Sequence, residues 1–203
     1  MPKIVDFDAK RREIASKAVA LLVRDGIQET NLGKVAESCG MGRTSMYEYF
    51  RNIGELIDFT LEETFTQMRE GFKALLQNRN DSAAEQIVNL MQYLETFAVR
   101  EKERMVLVLD FLFHPDRVTP GVSFDVQAQV RLLRAELERL LVASVKSGEI
   151  CPVNTSSMAF TLFAFIEAAT VHAALYRNVR LDETMGDIRI LIDGLKAQAP
   201  GNQ

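Results

Sequence analysis

The residues best suited to chemistry in this chain lie in one short run, Arg43-Thr44-Ser45-Met46-Tyr47-Glu48-Tyr49-Phe50. Wound as a helix, Met46 and Phe50 stand four apart and share a face, leaving Thr44, Ser45, Tyr47 and Glu48 pointing elsewhere and Arg43 at the open first turn. That outer face is polar and partly small, as a helix lying in the major groove of double-stranded DNA must be. Arg43 can give two parallel hydrogen bonds to guanine or hold a phosphate. Thr44 and Ser45 are short enough for the backbone to come close, and the phenols of Tyr47 and Tyr49 can bond phosphate oxygens. Helix N-termini near Asn31 and Arg43 add backbone N–H groups suited to an anion. Thr30 stands just ahead, where its hydroxyl either reaches a phosphate or satisfies a turn.

The pattern around this run supplies the elements that would position it. Ile14, Ala18, Leu21 and Leu22 follow a helical period, and Gly26 ends that helix. Asn31 caps a second, short helix with Leu32, Val35, Ala36 and Cys39 on its apolar face. Gly40 closes it, and after two more residues the third helix begins near Arg43. Two short helices joined through a turn containing glycine read as a helix-turn-helix, whose second helix enters the major groove while the first crosses the backbone. Arg51-Asn52 breaks the third helix. A long helix follows, marked by Ile57, Leu61, Met68, Phe72 and Leu75, and Asn78 to Asp81 forms the first clear joint.

Helical period continues to the end of the chain. Ser82-Ala-Ala-Glu85 reads as a capping box for a helix carrying Ile87, Leu90, Met91, Leu94 and Ala98. Met105 to Phe113 forms the next, stopped at His114-Pro115. Thr119-Pro120 is expected to cap and start a long helix with Val126, Val130, Leu133, Leu137, Leu140, Leu141 and Val145. Asn154 to Ser157 opens an apolar helix to Tyr176. Asp182 caps the last, with Met185, Ile188, Leu191 and Leu195. No segment alternates with period two long enough to require a strand. The expected fold is all-α, about nine helices, with a three-helix N-terminal domain and a larger C-terminal bundle.

Composition narrows the function. The chain has 203 residues, 47% hydrophobic and 26% charged, with a net charge of −4. Such a chain buries roughly 70% of its unfolded surface and folds without disulfides or structural metal. Cys39 and Cys151 stand far apart, with no CxxC and no neighbouring histidine, which suits a reducing cytoplasm. The first residues lack the apolar stretch of a signal peptide. Met158 to Tyr176 is apolar enough to need a membrane check, but Glu167 and His172 interrupt it, and a buried or subunit-interface helix looks the same. No membrane partner is expected. Residues 1–57 hold nine Lys and Arg against eight Asp and Glu. Any DNA binding therefore depends on a small placed surface rather than bulk charge.

Residues Arg11 to Leu56 resemble the N-terminal domain of the tetracycline-repressor (TetR) family of bacterial regulators. The resemblance rests on Ile14, Ala18, Leu21, Gly26, Thr30, Val35-Ala36, Gly40 and, most specifically, the run from Arg43 to Phe50. It implies an all-helical homodimer that binds a palindromic DNA operator, with residues 1–52 as the DNA-binding domain. Residues 53–203 would then bind a small-molecule effector and dimerise. The implied DNA contacts are Thr30, Asn31, Arg43, Thr44, Ser45, Tyr47, Glu48, Tyr49 and Asn52. The sequence departs from the family's pattern where Ser is usual at Gly42, where Gly is frequent at Thr44, and where a phosphate-holding Lys is usual at Ile53 and an acidic residue at Gly54. Loss of that cation should lower the salt slope of binding by about one unit, with Arg51 or Asn52 placed to compensate. The layout near Val145 to Ile150 looks like the family's passage into two dimerisation helices, here about 155–176 and 183–197, with Phe160, Phe163, Phe165, Ile188, Leu191 and Leu195 at the seam.

An effector pocket in the second part is expected to be mostly apolar with a few polar groups. Tyr93, Met105, Phe111, His114, Glu167, His172 and Tyr176 are its candidates, each of which has an ordinary structural reading as well. Glu167, within an apolar helix, must be paired, interfacial or facing a polar ligand if it is buried. No carboxylate or cysteine at helical spacing from either histidine forms a known metal-binding pattern, so no metal or cofactor is expected. No GxSxG, P-loop, GxGxxG or HExxH motif points to catalysis. The competing class is a helical small-molecule-binding protein or enzyme whose helix-turn-helix is only structural.

Overall fold

The computed structural model describes residues 6–77, 81–114, 119–175 and 181–196, without the side chains of 181–186. Among these residues there are nine helices and no strand: α1 Phe7–Asp25, α2 Leu32–Ser38, α3 Arg43–Tyr49, α4 Ile53–Leu76, α5 Ala83–Arg100, α6 Lys102–Phe113, α7 Val126–Lys146, α8 Thr155–Leu175 and α9 Leu181–Gly194. The expected all-α class and the helix-turn-helix are both present. Tyr176, the turn at Asn78, and the side chains of Asp182 and Met185 lie outside the described residues.

Two compact units are formed. One comprises Met1–Thr66 with Glu103–Val126, the other Gln67–Lys102 with Gln127–Gln203. The first holds α1 to α3, the start of α4, and α6. Each short helix there has a local reason to begin and end. Asp6 caps α1 by accepting from the N–H groups of Asp8 and Ala9, both at 3.1 Å. Gly26 ends it at φ +88°, a backbone conformation that suits glycine. Asn31 caps α2 through its side chain to the Lys34 N–H, 3.1 Å. Ile14, Ala18, Leu22, Val35, Met46, Phe50, Leu56, Ile57 and Leu61 are buried. Arg11 lies over the rings of Phe50 and Phe59, at 4.7 and 4.3 Å, and reaches Glu55 at 3.4 Å. Its guanidinium thus lies over the aromatic pair while its charge is matched by Glu55.

The connector after α6 departs from expectation. Thr119-Pro120 does not start a helix: α7 begins at Val126. Instead Thr119 accepts from the Val122 N–H, and Gly121 takes φ +81°. Asp58 of α4 then captures the connector. It accepts from the Ser123 N–H (2.9 Å), the Ser123 hydroxyl (2.7 Å) and the Phe124 N–H (2.9 Å). Phe124 stacks on Phe65 at 5.7 Å. The N–H groups that a helix start would leave unsatisfied are taken by a carboxylate 65 residues earlier in the chain.

In the second unit α5 packs against α8 and α9. Ser82 caps α5 on the Glu85 N–H, as the capping-box pattern requires. Glu149 accepts from the Ala84 N–H at 2.8 Å, and Glu85 pairs with Arg189 at 2.7 Å. Tyr93 packs against Gly71, where a Cβ would strike its ring, and donates its hydroxyl proton to the Gln67 carbonyl at 3.1 Å.

Candidate nucleic-acid interface

The turn between α2 and α3 fixes how α3 is presented. Gly40 stands at φ +65°, and the Met41 N–H returns to the Ala36 carbonyl at 2.9 Å. Met46, 1% exposed, anchors the inner side of α3, and Phe50 is buried just beyond its end. Arg43, Thr44, Ser45, Tyr47 and Glu48 are all exposed. Tyr47 is 59% exposed, although an aromatic ring would gain by burial. Gly42 gives α3 no side-chain cap, so the first N–H groups of α3 have no such acceptor.

Around α3 the remaining candidates divide. Asn31 is exposed at the N-terminus of α2. Gly33 lets Arg43 come close to it: a Cβ on Gly33 would lie 3.0 Å from Asn31 Oδ1 and 3.3 Å from Arg43 Nε. One cation, one amide and a helix N-terminus are thus gathered at one place. Tyr49 is half-buried and stacks on Phe7 at 5.0 Å. Thr30 takes the turn role of its two readings. It is 4% exposed and donates its hydroxyl proton to the Gly26 carbonyl at 2.8 Å. Asn52 is exposed, but its Oδ1 caps α4 on the Glu55 N–H at 2.9 Å.

The start of α4 explains one departure from the family's pattern. Gly54 is buried against the connector, and a Cβ there would collide with Pro120 and Gly121. The position excludes an acidic side chain for steric reasons. Ile53 beside it is half-buried. The position where the family usually carries a phosphate-holding cation thus has no charge of its own.

The effector candidates fall in both units. Met105, Phe111 and His114 lie on or just after α6 in the first unit, while Tyr93, Glu167 and His172 belong to the second. Met105 is buried and Phe111 half-buried. His114 is exposed and sits beside its own helix end, with Nδ1 3.0 Å from the Asp110 carbonyl. His172 is exposed, and Tyr93 is engaged with Gly71 and Gln67 as described. Glu167 is on the exposed side of α8; partial shielding raises its pKa and Arg134 opposes the rise. A cleft of about 370 Å³ lies in the first unit, lined by Leu22, Val23, Ile27, Val106 and Leu107 with Asp25, Glu29 and Asp110. None of the expected pocket residues lines it. Among the described residues no cluster of histidine, cysteine, aspartate and glutamate has the makings of a metal site. Cys39, expected inside, and Cys151 are both half-buried free thiols.

The expected seam residues also divide. Phe163 and Ile188, 8% and 4% exposed, belong to the interior of the subunit itself and not to its outer face. Their helices bury them against their own chain. Phe160 and Leu191 do lie outside, and Leu195 is half-buried. Phe165, also expected at the seam, is exposed, and so are Leu175 and Ile190, which sequence reading missed. The helix α8 is long and apolar enough to cross a membrane by length and composition. Only 33% of its apolar window is buried within the chain. Such a face calls for a covering partner.

Comparison with known proteins places this geometry. Residues 14–58 match the family model for bacterial regulatory proteins of the tetR family. The HTH-type transcriptional regulator RutR of Escherichia coli K12 is 22% identical over 199 residues, covering 93% of this chain and 91% of its own. Among solved structures, the ketosteroid transcriptional regulator KstR2 of Mycobacterium tuberculosis aligns with TM-score 0.75 at 14% identity, covering 94% of this chain and 96% of its own. AibR, solved in complex with isovaleryl coenzyme A and operator DNA, aligns with TM-score 0.71 at 18% identity, covering 93% and 99%. These likenesses extend the common fold well beyond the matched N-terminal segment.

Proposed function

This chain belongs to the TetR family of bacterial regulatory proteins, and on that premise we propose that it is a repressor that binds a palindromic operator as a homodimer and leaves it when a small, largely apolar effector binds. Residues 1–52 carry the DNA contacts, and 53–203 carry the effector and dimer functions. The protein works by binding rather than by turnover, in the cytoplasm. The observation that carries this reading is α3 itself: Met46 and Phe50 are fixed in the core while Arg43, Thr44, Ser45, Tyr47 and Glu48 are left to solvent. A dimer would set two such helices about 34–36 Å apart, one turn of duplex.

The effect of the effector on DNA is carried by α4. This helix contributes to both compact units, and Asp58 near its start is bonded to the connector that follows α6. A ligand that binds one arrangement of these helices more tightly shifts the population toward it, with a typical coupling of about 1–3 kcal/mol.

Fluorescence anisotropy with DNA from upstream of the chain's own gene tests the reading. Saturable binding with a steep salt dependence, lost in Tyr47→Ala, is expected. Absence of binding to every native promoter fragment would overturn it. Ile53→Lys should tighten binding and steepen the log–log salt slope by about one unit per subunit, by restoring a cation at the start of α4. An unchanged slope would show that this position does not face phosphate.

The dimer is formed by α8 and α9, whose Phe160, Phe165, Leu175 and Ile190 are exposed in the single chain. Phe160→Asp together with Ile190→Asp places two charges per subunit in that seam. Analytical ultracentrifugation should then show a monomer with native helical content. A dimer that survives both substitutions would place the interface elsewhere.

A further inference from the structure

Glu95 stands in the middle of α5 and is 1% exposed, yet neither of its carboxyl oxygens has a hydrogen-bond partner among the described residues. The other acidic groups described on this helix and beside it are engaged. Glu85 holds Arg189, and Glu149 accepts from the Ala84 N–H and the Ser147 hydroxyl. One helical turn to either side of Glu95 stand Met91 and Ala98, and Val88 is two turns back, all buried. Burial by itself raises the pKa of Glu95, with no charged side chain acting in either direction. An ionised carboxylate in such surroundings is strongly disfavoured, so it keeps its proton or acquires a partner. A leucine or methionine would fill the same place without that cost.

We propose that Glu95 is the polar recognition group of the effector site, and that the effector is an apolar amine held as its ammonium by this carboxylate. The inference rests on the reading of the chain as an effector-controlled regulator and specifies which molecule controls it. A charged N–H donor gains most from a buried carboxylate, because both partners leave water together and the hydrogen bonds are charge-assisted. The apolar body of the molecule meets Val88, Met91 and Leu94, and Met91 is flexible enough to re-pack around it. A carboxylate effector gains no charge pairing from this group, because Glu95 offers at most one neutral O–H donor and no cation. When the ammonium binds, the O–H bond of Glu95 breaks and its proton passes to solvent.

The test uses the full-length protein with hexylamine, hexanoate and hexan-1-ol, which share one apolar chain and differ in head group. Calorimetry should show hexylamine binding with proton release, at least tenfold tighter than hexanoate or hexan-1-ol. Glu95→Gln, nearly isosteric, should weaken hexylamine at least tenfold while DNA binding without ligand stays as it was. Glu95→Met should raise the melting temperature of the ligand-free protein, because it removes a buried polar group that nothing satisfies. The proposal is overturned if hexylamine does not bind, if hexanoate or hexan-1-ol binds as well, if Glu95→Gln leaves the amine unaffected, or if Glu95→Met lowers the melting temperature. Failure of the amine with DNA binding intact removes this assignment alone. Failure of the wild-type protein to bind any promoter DNA removes the regulator reading, whatever the amine does.

Discussion

Arg43→Ala is expected to weaken operator binding by at least about 30-fold, and by up to about 10⁴-fold if both half-sites use the residue fully. The size follows from symmetry. A well-formed bidentate contact between arginine and guanine contributes about 1–3 kcal/mol, and a dimer on a palindrome makes it twice. Arg43 is exposed at the start of α3, and its Nε lies close to Gly33 at the N-terminus of α2. From there it can serve either a base edge or a phosphate, and the two roles differ in their signature. Loss of a base contact lowers affinity for the operator far more than for unrelated DNA. Loss of a phosphate contact weakens both alike and reduces the salt slope by about one unit per subunit. Anisotropy titrations of operator and scrambled duplex at several salt concentrations separate them. Affinity unchanged on both duplexes would remove Arg43 from the interface and take the main support from the proposed function.

The second large effect is on the fold. Gly54→Ala should destabilise the protein by about 1–3 kcal/mol, lowering the melting temperature by roughly 2–12 °C, as measured by calorimetry or circular dichroism. In an ordinary helix the same change stabilises by about 1 kcal/mol, because alanine is the better helix former. Here the new methyl group would lie 2.5 Å from the Pro120 carbonyl oxygen and 2.6 Å from Gly121 Cα. These are backbone atoms, which cannot rotate away as a side chain can. The connector would have to lift, and with it the Ser123 and Phe124 N–H groups that Asp58 accepts. Those donors and the Asp58 carboxylate would then need water instead. A melting temperature equal to or above that of the wild type would show that the connector does not rest on α4.

Both cases show where local sequence is informative and where it is not. The recognition face of α3 could be read directly, because side-chain direction in a helix follows from spacing. Met46 and Phe50 had to face one way and Thr44, Ser45, Tyr47 and Glu48 other ways, while Arg43 is exposed because it opens the helix. The caps at Asn31 and Ser82 were equally local, since each side chain bonds an N–H three residues on. The turn role of Thr30 was one of two local possibilities, and its bond to the Gly26 carbonyl selects it. Thr119-Pro120 misled for the opposite reason. Its pattern is a sound helix start, but Asp58 supplies the acceptors and keeps the segment non-helical up to Val126. Nothing near Thr119 in the chain announces that carboxylate.

By itself, then, the sequence determined the helices, their caps and the outward face of α3, all of which depend on residues within about a turn of one another. Tertiary structure decided which side of an apolar helix is inside. The helix α8 is apolar almost all round, so Phe163 in the core and Phe160 on the surface are equivalent by composition. It also decided that Gly54 must lack a side chain and that Glu95 is enclosed without a hydrogen-bond partner among the described residues. Each of those outcomes is set by atoms far away in the chain, brought near only when the helices pack.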